Sequence, residues 1–226
     1  MNVLAIDTVA NLCAACIFDA AAGRALAAES VDIGRGHVEH LMPQVADVLE
    51  KSGCRYSDLD RIAVGCGPGS FTGVRVGVAA ARGLSLALKV PAVGVSTLAA
   101  IAEQSRPKAA GREILVAIDA RREEIYSAVF DGEGNCLQVP AVSTVEIAAE
   151  YARKHNPVLA GNAAKAIADE TGLELGFGLI APTSSVETIA RIGALASPEA
   201  NPAIPAYLRA PDAKPQTGFA VARAQA

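Results

Sequence analysis

Val3-Leu4-Ala5-Ile6-Asp7, followed by Phe18-Asp19, returns later in the chain as Leu115-Val116-Ala117-Ile118-Asp119, followed by Phe130-Asp131. One offset relates both pairs, because Asp7 to Asp119 and Asp19 to Asp131 stand equally far apart. Each copy reads as an apolar strand ending in Asp, a short polar turn, a second apolar strand ending in Asp, and a Gly-containing turn. Chance dipeptide matches do not share their spacing and their apolar flanks. One supersecondary unit is therefore used twice, and the fold is a duplicated α/β one. In each copy the first Asp sits where two strands meet, so its carboxylate is expected to face the cleft between the halves.

Working outward, Val3–Asp7, Leu12–Asp19 and Ala25–Val31 form a three-stranded meander with Ala21-Ala22-Gly23 as its second turn. A helix is predicted from about His40 to Lys51, closed by Ser52-Gly53, with Leu41, Val45, Val48 and Leu49 at helical spacing. Pro43 belongs in its first turn, since it has no amide to donate. Arg61–Cys66 reads as a short buried strand, the segment from Gly67 to Gly73 as a loop, and Val74–Leu88 as a helix rich in small residues. Ala92–Val95 is a further strand, after which Ser96 caps a helix through about Glu103. The polar run from Gln104 to Gly111, with Pro107, marks a lobe boundary and divides the chain into 1–106 and 107–226.

The second copy supplies strands at Leu115–Asp119, Ile125–Asp131, Cys136–Pro140 and Val158–Ala160. Its helices are expected at about Val145–Lys154, Ala163–Thr171 and Val186–Ala196. Pro198, Pro202, Pro205, Pro211 and Pro215 exclude regular structure thereafter, so the tail wraps the surface to Tyr207-Leu208 and frays beyond. The order β-β-β-α-β-α-β-α, then β-β-β-α-β-α-α, is that of two ribonuclease-H-like halves. It resembles the actin, sugar kinase and Hsp70 (ASKHA) superfold, in which strand-turn-strand units bracket a nucleotide's phosphates.

Composition narrows the function. The 226 residues are 51% apolar and 19% charged, as in a well-packed globular chain. A net charge of −4 argues against a self-sufficient nucleic-acid binder. The clusters Arg106/Lys108/Arg112 and Arg121/Arg122 read as solvated faces. No membrane segment is expected, because Val74–Leu88 carries Arg75 and Arg82 and is too short to span. The N-terminus lacks the pattern of a secretory signal, and five scattered cysteines fit reduced thiols in a cytoplasm.

Gly67-Pro68-Gly69-Ser70-Phe71-Thr72-Gly73 leaves a strand and enters a helix, so free amides of the first turn point toward any docked anion. It is not a Walker loop, a dinucleotide fingerprint or a nucleophile elbow. A tight turn without ligand and an anion contact are equally compatible with it. Asp7 and Thr8 are the better phosphate-facing pair, whereas Asp119, followed at once by Arg121 and Arg122, reads as a turn Asp bonding its own backbone. Cys13-Ala14-Ala15-Cys16 has CxxC spacing, but on a strand its thiols point to opposite faces and stay in the core. His37 and His40 lack a third ligand and read as polar residues at a helix start. Small residues Gly73, Gly77 and Ala81, with Leu84 and Leu88 beside them, let another helix approach closely. That partner is either internal or a second chain.

Leu4-Ala5-Ile6-Asp7-Thr8, the Gly67–Arg75 block, Gly94-Val95-Ser96-Thr97-Leu98, Asp119–Tyr126 and Tyr207-Leu208-Arg209 resemble one family closely. This is the bacterial TsaB (YeaZ) family, which takes part in making the threonylcarbamoyl modification of adenosine next to the anticodon of tRNAs. The resemblance implies a non-catalytic paralogue of TsaD, the enzyme that transfers the threonylcarbamoyl group. TsaD-like chains carry two metal-binding histidines where Thr97 and Ile101 stand here, so no metal is expected. It also implies docking onto TsaD through Leu41, Val45, Val48, Gly77, Ala81 and Leu84, with the ATPase TsaE acting on the complex. In isolation a homodimer is expected, and tRNA is reached only through the complex. Asp7, Thr8, Gly67, Gly69, Ser70 and Thr72 would contact a nucleotide, ATP or ADP with Mg²⁺, near the interface without holding it tightly. The competing reading is an ATP-dependent kinase or an M22-type glycoprotease-like peptidase of the same superfold.

Overall fold

In the computed structural model, which describes residues 1–209, both copies of the repeat build an antiparallel meander extended by parallel strands. The first comprises β1 (Asn2–Asp7), β2 (Leu12–Asp19), β3 (Arg24–Asp32), α1 (His37–Ser52), β4 (Arg61–Gly67), α2 (Phe71–Leu88), β5 (Ala92–Ser96) and α3 (Thr97–Ala109). The second comprises β6 (Ile114–Arg121), β7 (Glu124–Phe130), β8 (Cys136–Thr144), α4 (Val145–His155), β9 (Val158–Ala160), α5 (Ala164–Thr171) and α6 (Val186–Leu195). The sheet orders are β3-β2-β1-β4-β5 and β8-β7-β6-β9. Residues 176–179 fill the place of a fifth strand in the second sheet. There Phe177 bridges Leu159 in parallel, and the Gly178 amide reaches Leu159 O at 2.9 Å.

Strand alternation sorts the core into layers. Leu4 and Ile6 pack with Leu41 and Val45 of α1 and with Val74 and Val78 of α2. Val3 and Ala5, on the opposite face, pack with Val186, Ile189 and Ala190 of α6. In the second sheet Leu115 and Ala117 meet α4 and α5 through Ala149, Ala152 and Ile167, while Ile114, Val116 and Ile118 meet Leu98 and Ile101 of α3. Each half thus receives one helix from the other. α3 follows β5 but covers the second sheet, and α6 follows the second copy but covers the first. Arg61 fastens this exchange: its Nη1 donates to the carbonyls of Gly193, Ala194 and Ala196 at 2.9, 2.9 and 2.7 Å, capping the end of α6.

The expected elements are all present, with instructive differences at their ends. α3 continues past Glu103 to Ala109, with Pro107 in its last turn, so a boundary at 106/107 falls inside a helix. The run is the last part of α3 and its C-terminal turn rather than a linker; Ser105 and Ala109 in it are buried, and Arg106 pairs with Glu103 at 2.8 Å. α1 begins at His37, which puts Pro43 in the second turn. β8 runs through Pro140 to Thr144, which an edge strand tolerates because its outer amides need no partner. α2 starts three residues earlier than expected. At 18 residues it is long and apolar enough, by length and composition, to cross a membrane. Its Gly73, Val74, Gly77, Val78 and Ala81 are nevertheless buried within the fold, with Val74, Val78 and Ala81 in the core that Ile62 and Val64 of β4 share.

Beyond α6 the chain runs over the surface as expected. Asn201 O accepts the Gly94 amide at 2.9 Å, and the Ala206 amide reaches Cys66 O at 2.8 Å. The fraying expected after Leu208 concerns residues 210–226, which lie outside the described residues.

Gly193 lets α6 lie flat on the first sheet, because a Cβ there would overlap Ala63 Cβ. Gly193→Ala is expected to destabilise the protein by about 1–3 kcal/mol through overpacking. Gly83→Ala, where an added Cβ meets nothing within 4 Å, should be neutral or stabilising by up to about 1 kcal/mol. Urea unfolding of both variants checks this, and equal midpoints would contradict the packing account.

Candidate functional site

The backbone of residues 7–9, where β1 ends, is pressed against the start of α2. Ser70 donates its amide to Val9 O at 2.7 Å, and Thr8 Oγ1 donates to Gly73 O at 2.7 Å. Added Cβ atoms on Gly69 and Gly73 would collide with Val9 O and Thr8 O. One on Gly77 would lie 2.5 Å from Thr8 Oγ1, and one on Gly65 would lie 2.8 Å from Asp7 Oδ1. The glycines are thus required by close approach, and Ser70 completes the turn by accepting the Gly73 amide at 3.3 Å to cap α2. Gly69, Ser70 and Thr72 are exposed at the helix N-terminus, whereas Gly67 is buried. Any anion contact of this loop falls on the exposed three.

Asp7 and Thr8 lie behind that loop. Asp7 is 1% exposed and Thr8 fully buried. Asp7 Oδ1 accepts the Val9 amide at 3.0 Å, and Oδ2 accepts a short hydrogen bond from Thr183 Oγ1. Burial pushes the Asp7 carboxyl up to about 6, against the opposing pull of the Thr183 and Val9 hydrogen bonds and of nearby His37. The carboxylate is therefore closed off from solvent, against Thr183 of the segment that leads from the second copy into α6. Thr183 and His37 are the partners that sequence reading did not supply. Thr183 sits in a loop 176 positions away, where no periodic pattern marks it. His37 is the buried first residue of α1.

The repeated Asp119 differs. It is exposed, its amide donates to Asn162 Oδ1 at 2.9 Å, and its Oδ1 accepts the Arg121 amide at 2.7 Å. That is the self-bonding turn Asp expected of it. Cys13 and Cys16 fall into the two opposite core layers, and burial pushes their thiols up to about 11 and 12. Thr97 and Ile101 are both buried, and Ile101 packs with Leu98 and Ile118. Ile101 offers no donor atom, so the residues present at that place do not fit a metal ion.

The side chains expected on a docking surface require correction. Leu41, Val45, Val48, Gly77 and Ala81 are buried in the chain's own core, and Leu84 is half-buried against it. The apolar stripe of each amphipathic helix faces its own sheet. A second stripe faces outward on the same helices. Val38 (66% exposed), Met42 (41%) and Ala46 follow one another at i, i+4 and i+8 on α1. Ala79, Gly83 and Ala87 do so on α2, with Leu86 (83% exposed) and the exposed Arg82 beside them.

The raised Asp7 carboxyl links stability to pH. Its folded value of about 6 exceeds the ordinary 3.8, so the folded state binds the proton more tightly. The contribution is fully present below about pH 4 and is lost as pH rises through 6. From this group alone the protein should be roughly 1–2 kcal/mol more stable at pH 5 than at pH 8. Asp7→Asn should remove that difference in chemical unfolding at the two pH values, and an unchanged slope would assign it elsewhere.

A family model described as "TsaD: tRNA N6-adenosine threonylcarbamoyltransferase" matches residues 31–202. The Escherichia coli K12 "tRNA threonylcarbamoyladenosine biosynthesis protein TsaB" is 38% identical over 135 residues, covering 60% of this chain and 57% of that protein. The chain thus spans little more than half the length of that relative. Among solved structures, YeaZ from Pseudomonas aeruginosa superposes with a TM-score of 0.76 at 28% identity, covering 92% of this chain and 99% of that one. An inorganic polyphosphate/ATP-glucomannokinase from Arthrobacter sp. strain KM, at 14% identity and a TM-score of 0.50 over 86% of this chain and 98% of that one, shares the fold alone. With its duplicated ASKHA fold, the chain belongs to the TsaB (YeaZ) family, paralogous to the threonylcarbamoyltransferase TsaD.

Proposed function

We propose that this chain is a non-catalytic scaffold in the formation of N6-threonylcarbamoyladenosine at position 37 of tRNA. It acts in the cytoplasm by docking onto TsaD, with the ATPase TsaE working on the assembled pair. Family membership supports the pathway. The observation that carries the scaffold role is the outward apolar stripe of α1 and α2, which the chain's own core leaves uncovered. Ile101 and Thr97, at the place of the transferase's metal-binding histidines, support a subunit that lends surface rather than chemistry. In isolation the same stripe pairs two copies of the chain. ATP or ADP with Mg²⁺ approaches the exposed Gly69, Ser70 and Thr72 beside that face, with Gly67, Asp7 and Thr8 shaping the loop from within. tRNA is reached only through the complex.

Val38→Glu and Leu86→Glu place charges on the stripe and touch no core position. Each is expected to weaken co-purification with TsaD by at least roughly ten-fold while the thermal transition stays unchanged. Modification assays with each component omitted should show no product without this chain. Unchanged binding would move the interface. Metal-dependent turnover of ATP or peptide by the isolated chain would replace the scaffold reading with the kinase or peptidase one.

A further inference from the structure

Three segments far apart in sequence meet on one surface: residues 71–75, 120–126 and 206–209. The Tyr207 ring lies 5.6 Å from the Phe71 ring, and its hydroxyl accepts a hydrogen bond from Arg75 Nε at 2.8 Å. The Arg75 guanidinium sits 3.7 Å from the Phe71 ring centroid, closing a three-residue stack at the N-terminus of α2. Two residues on, Arg209 Nη1 donates to Ala120 O at 3.2 Å, and the guanidinium pairs with the Glu124 carboxylate. It also lies 6.0 Å from the Tyr126 ring.

Ala120 and Glu124 are the two residues that flank Arg121, Arg122 and Glu123. All three of these have left-handed backbones, with φ of 62, 56 and 63°. Consecutive side-chain-bearing residues seldom adopt that conformation, and it persists only where the surroundings over-determine it. Arg209 supplies one such restraint at each end of the turn, and Asp119 Oδ1 holds the Arg121 amide from within. The turn belongs to the second sheet, while Phe71 and Arg75 belong to a helix of the first. Between them the chain has little slack. Ala206 is pinned to Cys66 O, Pro205 precedes it with a restricted φ, and two residues span at most about 7 Å.

We propose that residues 206–209 are a clasp that couples the N-terminus of α2 to the conformation of the β6–β7 turn. Lifting Tyr207 off Phe71 and Arg75 draws Arg209 from Ala120 and Glu124, and the left-handed turn relaxes. By reciprocity, a change at the turn loosens the start of α2. Whatever occupies the α2 N-terminus is thereby sensed on the other lobe, some distance from any direct contact.

Amide hydrogen exchange on the full chain tests this. Tyr207→Ala should speed exchange of the Arg121 amide on the order of ten-fold, although Tyr207 is not in contact with that turn in the hydrogen-bond and ring contacts above. Arg209→Ala should speed the Gly73 and Val74 amides in the same way, and the double variant should add little to either single one. If an alanine variant exchanges faster everywhere, Tyr207→Phe and Arg209→Lys carry the test. Tyr207→Phe keeps the ring and loses only the bond from Arg75, so it should still speed Arg121. Changes confined to the segment each side chain touches, or effects that simply add in the double variant, would overturn the clasp and leave two independent pins.

Discussion

The contact on which the structure depends is between two stretches of backbone, not between side chains. Residues 7–9 at the end of β1 lie so close to the start of α2 that positions 69 and 73 have no room for a Cβ. Hydrogen bonds from Ser70 to Val9 and from Thr8 to Gly73 close the gap. Much else follows. α2 is held at a fixed height over β1 and β4, and the outward faces of α1 and α2 are presented side by side, while Asp7 points to the opposite face of the sheet, where Thr183 ahead of α6 covers it.

The duplicated unit shows how much this contact decides. In the second copy the Ala163 amide reaches Ala117 O at 3.1 Å, and an added Cβ on Gly161 would collide with the same carbonyl. The approach is thus repeated, but with one glycine and an eight-residue helix, α5, in place of the 18-residue α2. The approach falls after the Asp in the first copy, at Thr8 and Val9, and before it in the second, at Ala117. Asp119 stays in solvent and bonds its own turn, while Asp7 is buried against Thr183 with a raised carboxyl. Two copies of Ala-Ile-Asp therefore hold carboxylates of opposite character. Desolvation separates them, and desolvation is set by what packs over the strand end rather than by the strand itself.

That distinction marks where sequence reading succeeds. Strand alternation, Ser caps and turn glycines are local properties, so β2 was legible to the residue and Ser96 as the cap of α3, while Ser70 and Ser185 are caps that the structure adds. The paired halves were legible because the repeated strands share their spacing, although the matched side chains face different layers: Val3 and Ala5 meet the exchanged helix α6, while Leu115 and Ala117 meet the second copy's own α4 and α5. What escaped was non-local. Leu41, Val45 and Val48 mark an amphipathic stripe correctly, but periodicity does not say whether a stripe meets its own sheet or another molecule. The run from Gln104 to Gly111 looks like a linker because its exposed residues are polar, yet Ser105 and Ala109 turn inward on the last part of α3. Thr183 beside Asp7 and Arg209 astride the β6–β7 turn join positions with nothing between them that a pattern could register.

The exchange of α3 and α6 between the sheets bears on the proposed scaffold role. Each sheet is covered on one face by the helices of its own copy and on the other by a helix exchanged from the other copy, and α3 and α6 touch where the two sheets' layers meet. The outward faces of α1 and α2 stand on the first of these cores, and a preformed face needs little ordering on docking. Arg61 shows how firmly the exchanged helix is held. A single guanidinium from β4 binds three carbonyls around the end of α6, so the helix that follows the second copy is fastened to the first sheet and detaching it would leave those carbonyls without their donor.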